Sequence, residues 1–330
     1  MVTNGKREIT YGDAGVEALG EEMRRDPSIV YIGQGIGPRG GNFRQTKGLW
    51  AEFGDHRLRD TAITELGETG MAIGAAMAGN RAIVDNVFLD FSLEAMTQIV
   101  QQAANAHFLS NGELKVPLMV RGSMGSVRNA GVQHSHTFYA WFAHIPGLKV
   151  VVPATPYDVK GLMKTALRDD CPVIFIEHKA LYNIKGNVPA EEYLIPFGKA
   201  NICRAGTTAT LVAVGRMVHV ALDAARILDQ EGISLEVLDP RTIAPLDREG
   251  IAASIRKTTR VAVVEEAHAS CGFSGEVFSV ACEDCFDSLD APPKRICARP
   301  APNAFSPKLE NRILPDVERV VTEIRDWMNS

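Results

Sequence analysis

Eight short apolar runs rich in β-branched residues punctuate the chain: SIVYI (28–32), AIVDNVF (82–88), PLMVR (117–121), KVVVP (149–153), VIFIE (173–177), TLVAV (210–214), SLEVLD (234–239) and RVAVVEE (260–266). Each is too apolar on both sides for a half-solvated strand, so a parallel sheet covered on both faces is expected. Helix-period segments separate them: 93–109, 156–170, 218–232, 275–289 and 314–328. Strand and helix in alternation predict an α/β architecture of two parallel-sheet domains. The stretch YNIKGNVPAEEYLIPFGKA (182–200) mixes turn residues and charges without a sustained period, and reads as a linker. The expected domains are therefore 1–190 and 191–330, sizes that fold without covalent staples.

The apolar share is 45%, the charged share 23% and the formal charge -5. That balance gives no reason to expect attraction to nucleic acid or anionic lipid, and favours a small-molecule or protein partner. No stretch approaches the roughly 20 apolar residues of a membrane span. The opening MVTNGKREITYGD lacks the build of a secretory signal, so a cytoplasmic chain with reduced cysteines is expected. Cys282 and Cys285 have zinc-like spacing but no second pair, and helix packing accounts for them.

GQGIGPRGG (33–41) follows an expected strand, yet Pro38 stands where a dinucleotide loop needs its third glycine. A glycine-rich loop is the better reading. TELGETGMAIGAAMAG (64–79) sets Glu65 and Glu68 at the head of a helix of small residues, whose glycines would cost stability unless something packs close. For Glu68 the role of dipole partner suffices. Glu65 stands between that role and that of an ionisable group whose pKa burial would raise. Phe88 and Phe91 close a strand and open a helix, as core aromatics or as a ligand platform. His134 and His136 lie in a polar loop with no evident third ligand for a metal.

In this order and spacing these segments resemble one family. GNFRQTKGLWAEFGDHRLRDTAITELGETGMAIGAAMAG, FLDFSLEAMTQIV, QHSHTFYAWFAHIPGLKVVVPATPYDVKGLMKTALRDDCPVIFIEHKALY, VHVALDAARILDQEGISLEVLDPRTIAPLD and FSPKLEN are similar to the β subunit of the thiamine-diphosphate-dependent decarboxylase component of 2-oxoacid dehydrogenase complexes. Pyruvate, branched-chain 2-oxoacid and acetoin dehydrogenases are its members. The resemblance spans nearly the whole chain and implies a pyrimidine-binding domain followed by a transketolase-type C-terminal domain.

By this resemblance Glu65 matches the glutamate that hydrogen-bonds the pyrimidine N1′ of the cofactor and relays its proton. Phe91 matches the aromatic packed on the pyrimidine, with Ile63 and Val87 lining the same pocket. His134 matches the histidine that assists acyl transfer to a lipoyl arm. Leu118, Ala166, Leu167, Asp169 and Cys171 match a loop whose main-chain oxygens hold a structural monovalent cation such as K⁺ in some members. Gln34 stands where relatives often carry a glutamate, and Glu94, counted with the cofactor pocket, where some have glutamine.

The GDG motif that begins the Mg²⁺ and diphosphate site is missing; the chain has GDA at 12 and GDH at 54. The resemblance therefore implies half of each active site, with a separate α subunit supplying the Mg²⁺-diphosphate half of an α2β2 heterotetramer. Its substrate would be a small 2-oxoacid or α-hydroxyketone, and its acceptor a lipoyl-bearing acyltransferase core. The alternatives are a two-subunit transketolase or carboligase, a catalytically silent assembly subunit and, weakened by Pro38, a nicotinamide-dependent dehydrogenase.

Overall fold

A computed structural model describes residues 7–127 and 129–329. The chain divides into two compact units: residues up to Met124 together with Trp141–Phe197, and Gly125–Ala140 together with the chain from Gly198 onward.

The strands of the first unit are β1 (Glu8–Thr10), β2 (Ile29–Gly33), β3 (Leu58–Asp60), β4 (Arg81–Phe88), β5 (Leu118–Met124), β6 (Lys149–Val151), β7 (Val173–His178) and β8 (Lys185–Asn187). Six of them lie in the order β6-β7-β5-β4-β2-β3, every pairing parallel. Ile29, Tyr31, Ile83, Met119 and Val173 point into one core with residues of the helices Tyr11–Arg25 and Pro156–Arg168. Their alternates Val84, Val120 and Ile174 are also buried, so both faces of the sheet are covered. The helix starts are specified locally. Thr10 and Thr155 each accept a hydrogen bond from the third residue on, and Pro156 occupies the first turn, where its missing N–H is not needed.

The stretch read as a linker contains β8, which pairs antiparallel with β1, and the boundary between the two units, Phe197 to Gly198, falls inside it. It also buries Ile195 in the core of the first unit. The segment 93–109 is not one regular helix. A 3₁₀ turn (Leu89–Leu93) leads to a π-helical stretch (Thr97–Ala103) and then an α-helix (Ala104–Leu109).

The second unit holds β9 (Asn201–Arg204), β10 (Ala209–Ala213), β11 (Leu235–Asp239), β12 (Thr242–Ala244), β13 (Val261–His268) and β14 (Lys294–Ala298). Its sheet runs β14-β13-β10-β11-β9. The first three pairings are parallel, but β9 joins β11 antiparallel, so the wholly parallel sheet expected here is corrected to a mixed one. An edge strand needs only one apolar side, and Ile202 of β9 is indeed exposed; NICR therefore carries no apolar run to read. Among the described residues no helix is long and apolar enough to cross a membrane.

Candidate functional site

In a parallel sheet the strands all end on one edge, and loops leaving that edge converge. Gln34 follows β2, Thr61 follows β3, and Val87 lies near the end of β4. The connection from β3 to β4 is the helix Glu65–Met77, which sets Glu65 and Glu68 in its first turn, where the helix dipole favours negative charge. A Cβ at Gly67 would lie 2.8 Å from the Thr64 hydroxyl, so a larger residue there would have to displace that side chain. Gly74 faces open space within the chain.

Gln34 ties the two carboxylates together. Its Nε2 donates to Oε1 of Glu65 at 3.1 Å and, more weakly, to Oε1 of Glu68 at 3.4 Å. The Thr61 hydroxyl donates to Oε2 of Glu68 at 2.7 Å. Glu65 is 9% exposed and Glu68 only 1%, so Glu68 is no surface dipole partner. Burial pushes the Glu68 carboxyl up to about 7. The Thr61 and Gln34 hydrogen bonds oppose that rise, while the nearby charges of Glu65 and Asp85 add to it.

Beside this pair, Val87 adopts φ 61°, a left-handed backbone that a β-branched residue rarely takes. The conformation is held from both sides. Asp85 Oδ1 accepts from the Val87 N–H at 2.9 Å, and the Ser123 hydroxyl donates to the Val87 carbonyl at 2.7 Å. Asp85 Oδ2 in turn accepts from the Tyr31 hydroxyl and from Gln45. Tyr31 accepts from Arg121, which forms a bidentate pair with Glu177. Phe91 is half-buried, its ring 5.6 Å from that of Phe88 in an edge-on arrangement. Ile63 is 81% exposed and Glu94 is also exposed.

His134 closes the 3₁₀ turn Val132–His134, half-buried, within the second unit. The expected cation loop is in the first unit, and a charge of the chain's own already faces it. Arg81 Nη1 donates to the carbonyls of Leu167 (3.3 Å) and Asp169 (2.8 Å), and its Nη2 donates to Asp170. The Ala166 carbonyl accepts from the Asp169 N–H. Two of the carbonyls expected to face K⁺, those of Leu167 and Asp169, thus already accept from a guanidinium of the chain. Among the described residues, no group of three or more His, Cys, Asp or Glu is arranged to hold a metal ion.

Sequence reasoning did not place Asp85 or Thr61 in the site and gave Glu68 a lesser role. The polar pair Asp85-Asn86 inside the run AIVDNVF is the one signal that the end of this strand does more than pack.

A doubly covered parallel sheet with buried carboxylates at its carboxyl edge, followed by a second unit with a mostly parallel sheet, is a known arrangement. Residues 7–185 match the family described as transketolase, pyrimidine binding domain, and residues 198–320 match transketolase, C-terminal domain. A solved structure described as split gene transketolase, inactive beta4 tetramer, superposes with a TM-score of 0.79. It shares 22% identity and covers 97% of this chain and 98% of its own, so it speaks for the fold.

Closer in sequence is the acetoin:2,6-dichlorophenolindophenol oxidoreductase subunit beta of Bacillus subtilis, 42% identical over 96% of both chains. The 2-oxoisovalerate dehydrogenase subunit beta of the same organism is 40% identical over 96% of this chain and 98% of its own. The mitochondrial pyruvate dehydrogenase E1 component subunit beta-2 of Oryza sativa subsp. japonica is 41% identical over 96% of this chain and 85% of its own. The chain belongs to the thiamine-dependent, transketolase-like family of 2-oxoacid dehydrogenase β subunits.

Proposed function

We propose that this chain is the pyrimidine-binding half of a two-subunit thiamine-diphosphate enzyme that decarboxylates a small 2-oxoacid and passes the acyl unit to a lipoyl-bearing acyltransferase core. The observation that carries the reading is Glu65: a largely buried carboxylate at a helix head, fixed by Gln34. Glu65, Val87, Phe91 and Ile63 suit a flat heteroaromatic ring, offering it one ionisable group and otherwise apolar surface. When bound, thiamine diphosphate supplies the electron sink for decarboxylation. Glu65 holds and moves a proton at its carboxylate, Gln34 fixes the orientation of that carboxylate, and Asp85 keeps the Val87 backbone in place.

Mg²⁺ and the diphosphate are assigned to an α subunit in an α2β2 assembly. Ile63, Leu66 and Met71 support a partner: all three are large, apolar and exposed at or just before the helix that carries Glu65. His134 is assigned to acyl transfer.

The experiment is to titrate thiamine diphosphate and Mg²⁺ into the chain alone and into the chain with its α subunit, then repeat with Glu65→Gln. Weak binding alone and tight binding with the partner are expected. Glu65→Gln should still bind cofactor while turnover falls on the order of 10²- to 10⁴-fold, the range of a positioned proton-transfer group. Near-normal decarboxylation by this variant sinks the assignment. His134→Ala should lose more lipoamide acylation than decarboxylation, and equal losses remove its special role. The similarity to the acetoin oxidoreductase subunit favours a second reading, cleavage of an α-hydroxyketone. Turnover of acetoin against pyruvate and branched 2-oxoacids decides between them.

A further inference from the structure

Glu68 is a fully buried carboxylate for which the reaction outlined above has no use. Among the described residues, the groups that bond to it or act on it most strongly are neutral or negative. From the loop after β2 comes the Gln34 amide, and from the residue after β3 the Thr61 hydroxyl. From its own helix comes the field of Glu65, and from β4 that of Asp85. A buried carboxylate with this company takes up a proton more readily than an exposed one. Gln34 couples that proton to Glu65, because one amide nitrogen supplies a hydrogen bond to each carboxylate and cannot shift toward one without loosening the other.

We propose that Glu68 is a positioning residue which, by gaining or losing its own proton, sets the charge felt by Glu65 and so the pH range over which Glu65 works. The inference rests on the reading of Glu65 as the proton-transferring group. With Glu68 protonated, no charge from it reaches Glu65. With Glu68 ionised, a negative charge stands beside Glu65 and both carboxylates draw on one amide. The neutral pH range is where this exchange falls, in agreement with the upward displacement of Glu68 to about 7.

The sign for stability follows. A carboxyl whose pKa is raised on folding contributes stability that is fully present below its unfolded value of 4.5 and is lost as the pH rises through about 7. Glu68→Gln keeps the shape and a hydrogen-bonding oxygen but cannot ionise. The full chain carrying it should melt close to the native temperature at pH 5 and several degrees higher at pH 8. In the enzyme assembled with its α subunit, the native pH profile of kcat should carry an inflection near neutral, absent from Glu68→Gln.

Gln34→Met is the second variant. It removes the amide that favours the charged form of Glu68, so the inflection should move to higher pH. A melting difference independent of pH shows that Glu68 does not titrate in this range and overturns the proposal. A pH-dependent melting difference with the inflection of kcat unchanged in Glu68→Gln shows that Glu68 titrates without acting on Glu65, and overturns it equally. Full turnover by Glu65→Gln would instead remove the proton-transfer reading on which the proposal rests, a result the melting experiment cannot produce.

Discussion

Glu68 and Glu177 are each 1% exposed and belong to the same unit, yet they are compensated in opposite ways. Glu177 meets Arg121 in two parallel N–H···O bonds of 2.7 and 2.9 Å, both side chains sealed from water. Burial works against the Arg121 charge, but Glu177, Tyr31 and Asp85 together outweigh it and hold that guanidinium well above its ordinary pKa. Glu68 has only an amide and a hydroxyl, with Glu65 and Asp85 adding negative charge. Equal burial thus leads to different outcomes. A cation at bonding distance makes a carboxylate a fixed structural charge, and its replacement by neutral donors leaves a carboxylate that exchanges a proton near neutrality.

The contrast can be broken most severely from the Arg121 side. Arg121→Met strands a buried carboxylate and should destabilise the chain by about 3–5 kcal/mol, measured by urea unfolding. Arg121→Met with Glu177→Leu should recover most of that loss, because two apolar side chains of similar size need no compensation. A double variant as unstable as the single one would mean that the pair does more than satisfy itself.

A smaller effect is expected where the two regions meet. Asp85 links the Tyr31–Arg121 chain to the Val87 backbone, and Asp85→Ala releases a strained turn while leaving the Tyr31 hydroxyl short of an acceptor. A loss of about 1–3 kcal/mol in stability is expected, with weaker cofactor binding by the assembled enzyme. Unchanged cofactor affinity would mean that the shape of Val87 does not depend on Asp85.

The smallest effect sharpens the contrast from the other side. Thr61→Val removes the shortest hydrogen bond to Glu68, one that favours its charged form. The pH at which Glu68 titrates should move up by a fraction of a unit, read from the melting temperature against pH. A downward move would mean that the hydroxyl stabilises the protonated form.

Much of the scaffold is legible in the sequence because it rests on short-range pattern. All eight apolar runs are strands, and Thr10 and Thr155 mark helix starts through bonds three residues long. The strands β1, β3, β8, β9, β12 and β14 carry no such run: each is only three to five residues long, and all but β12 and β14 are largely exposed or half-exposed, so burial leaves little apolar signature on them. The split at 97–109 is equally silent: the period of a π-helical stretch is too near that of an α-helix to read from composition.

The site divides along the same line. Glu65 is marked by its place at the head of a helix of small residues, and by the resemblance that those residues carry. The burial of Glu68 and the binding of both glutamates by Gln34 are not marked, because Gln34 stands 31 and 34 positions before them and meets them only through strand order. Likewise Arg121 and Glu177 become a pair because β5 lies beside β7 in a register that sets Arg121 against Phe175.

The sequence by itself determined the elements of this protein, since hydrophobic period and cap chemistry act within a few residues. Only the tertiary structure decided which buried carboxylate met a guanidinium and which met an amide. Charge compensation depends on distance in space, and parallel sheet order brings together residues that the chain holds far apart.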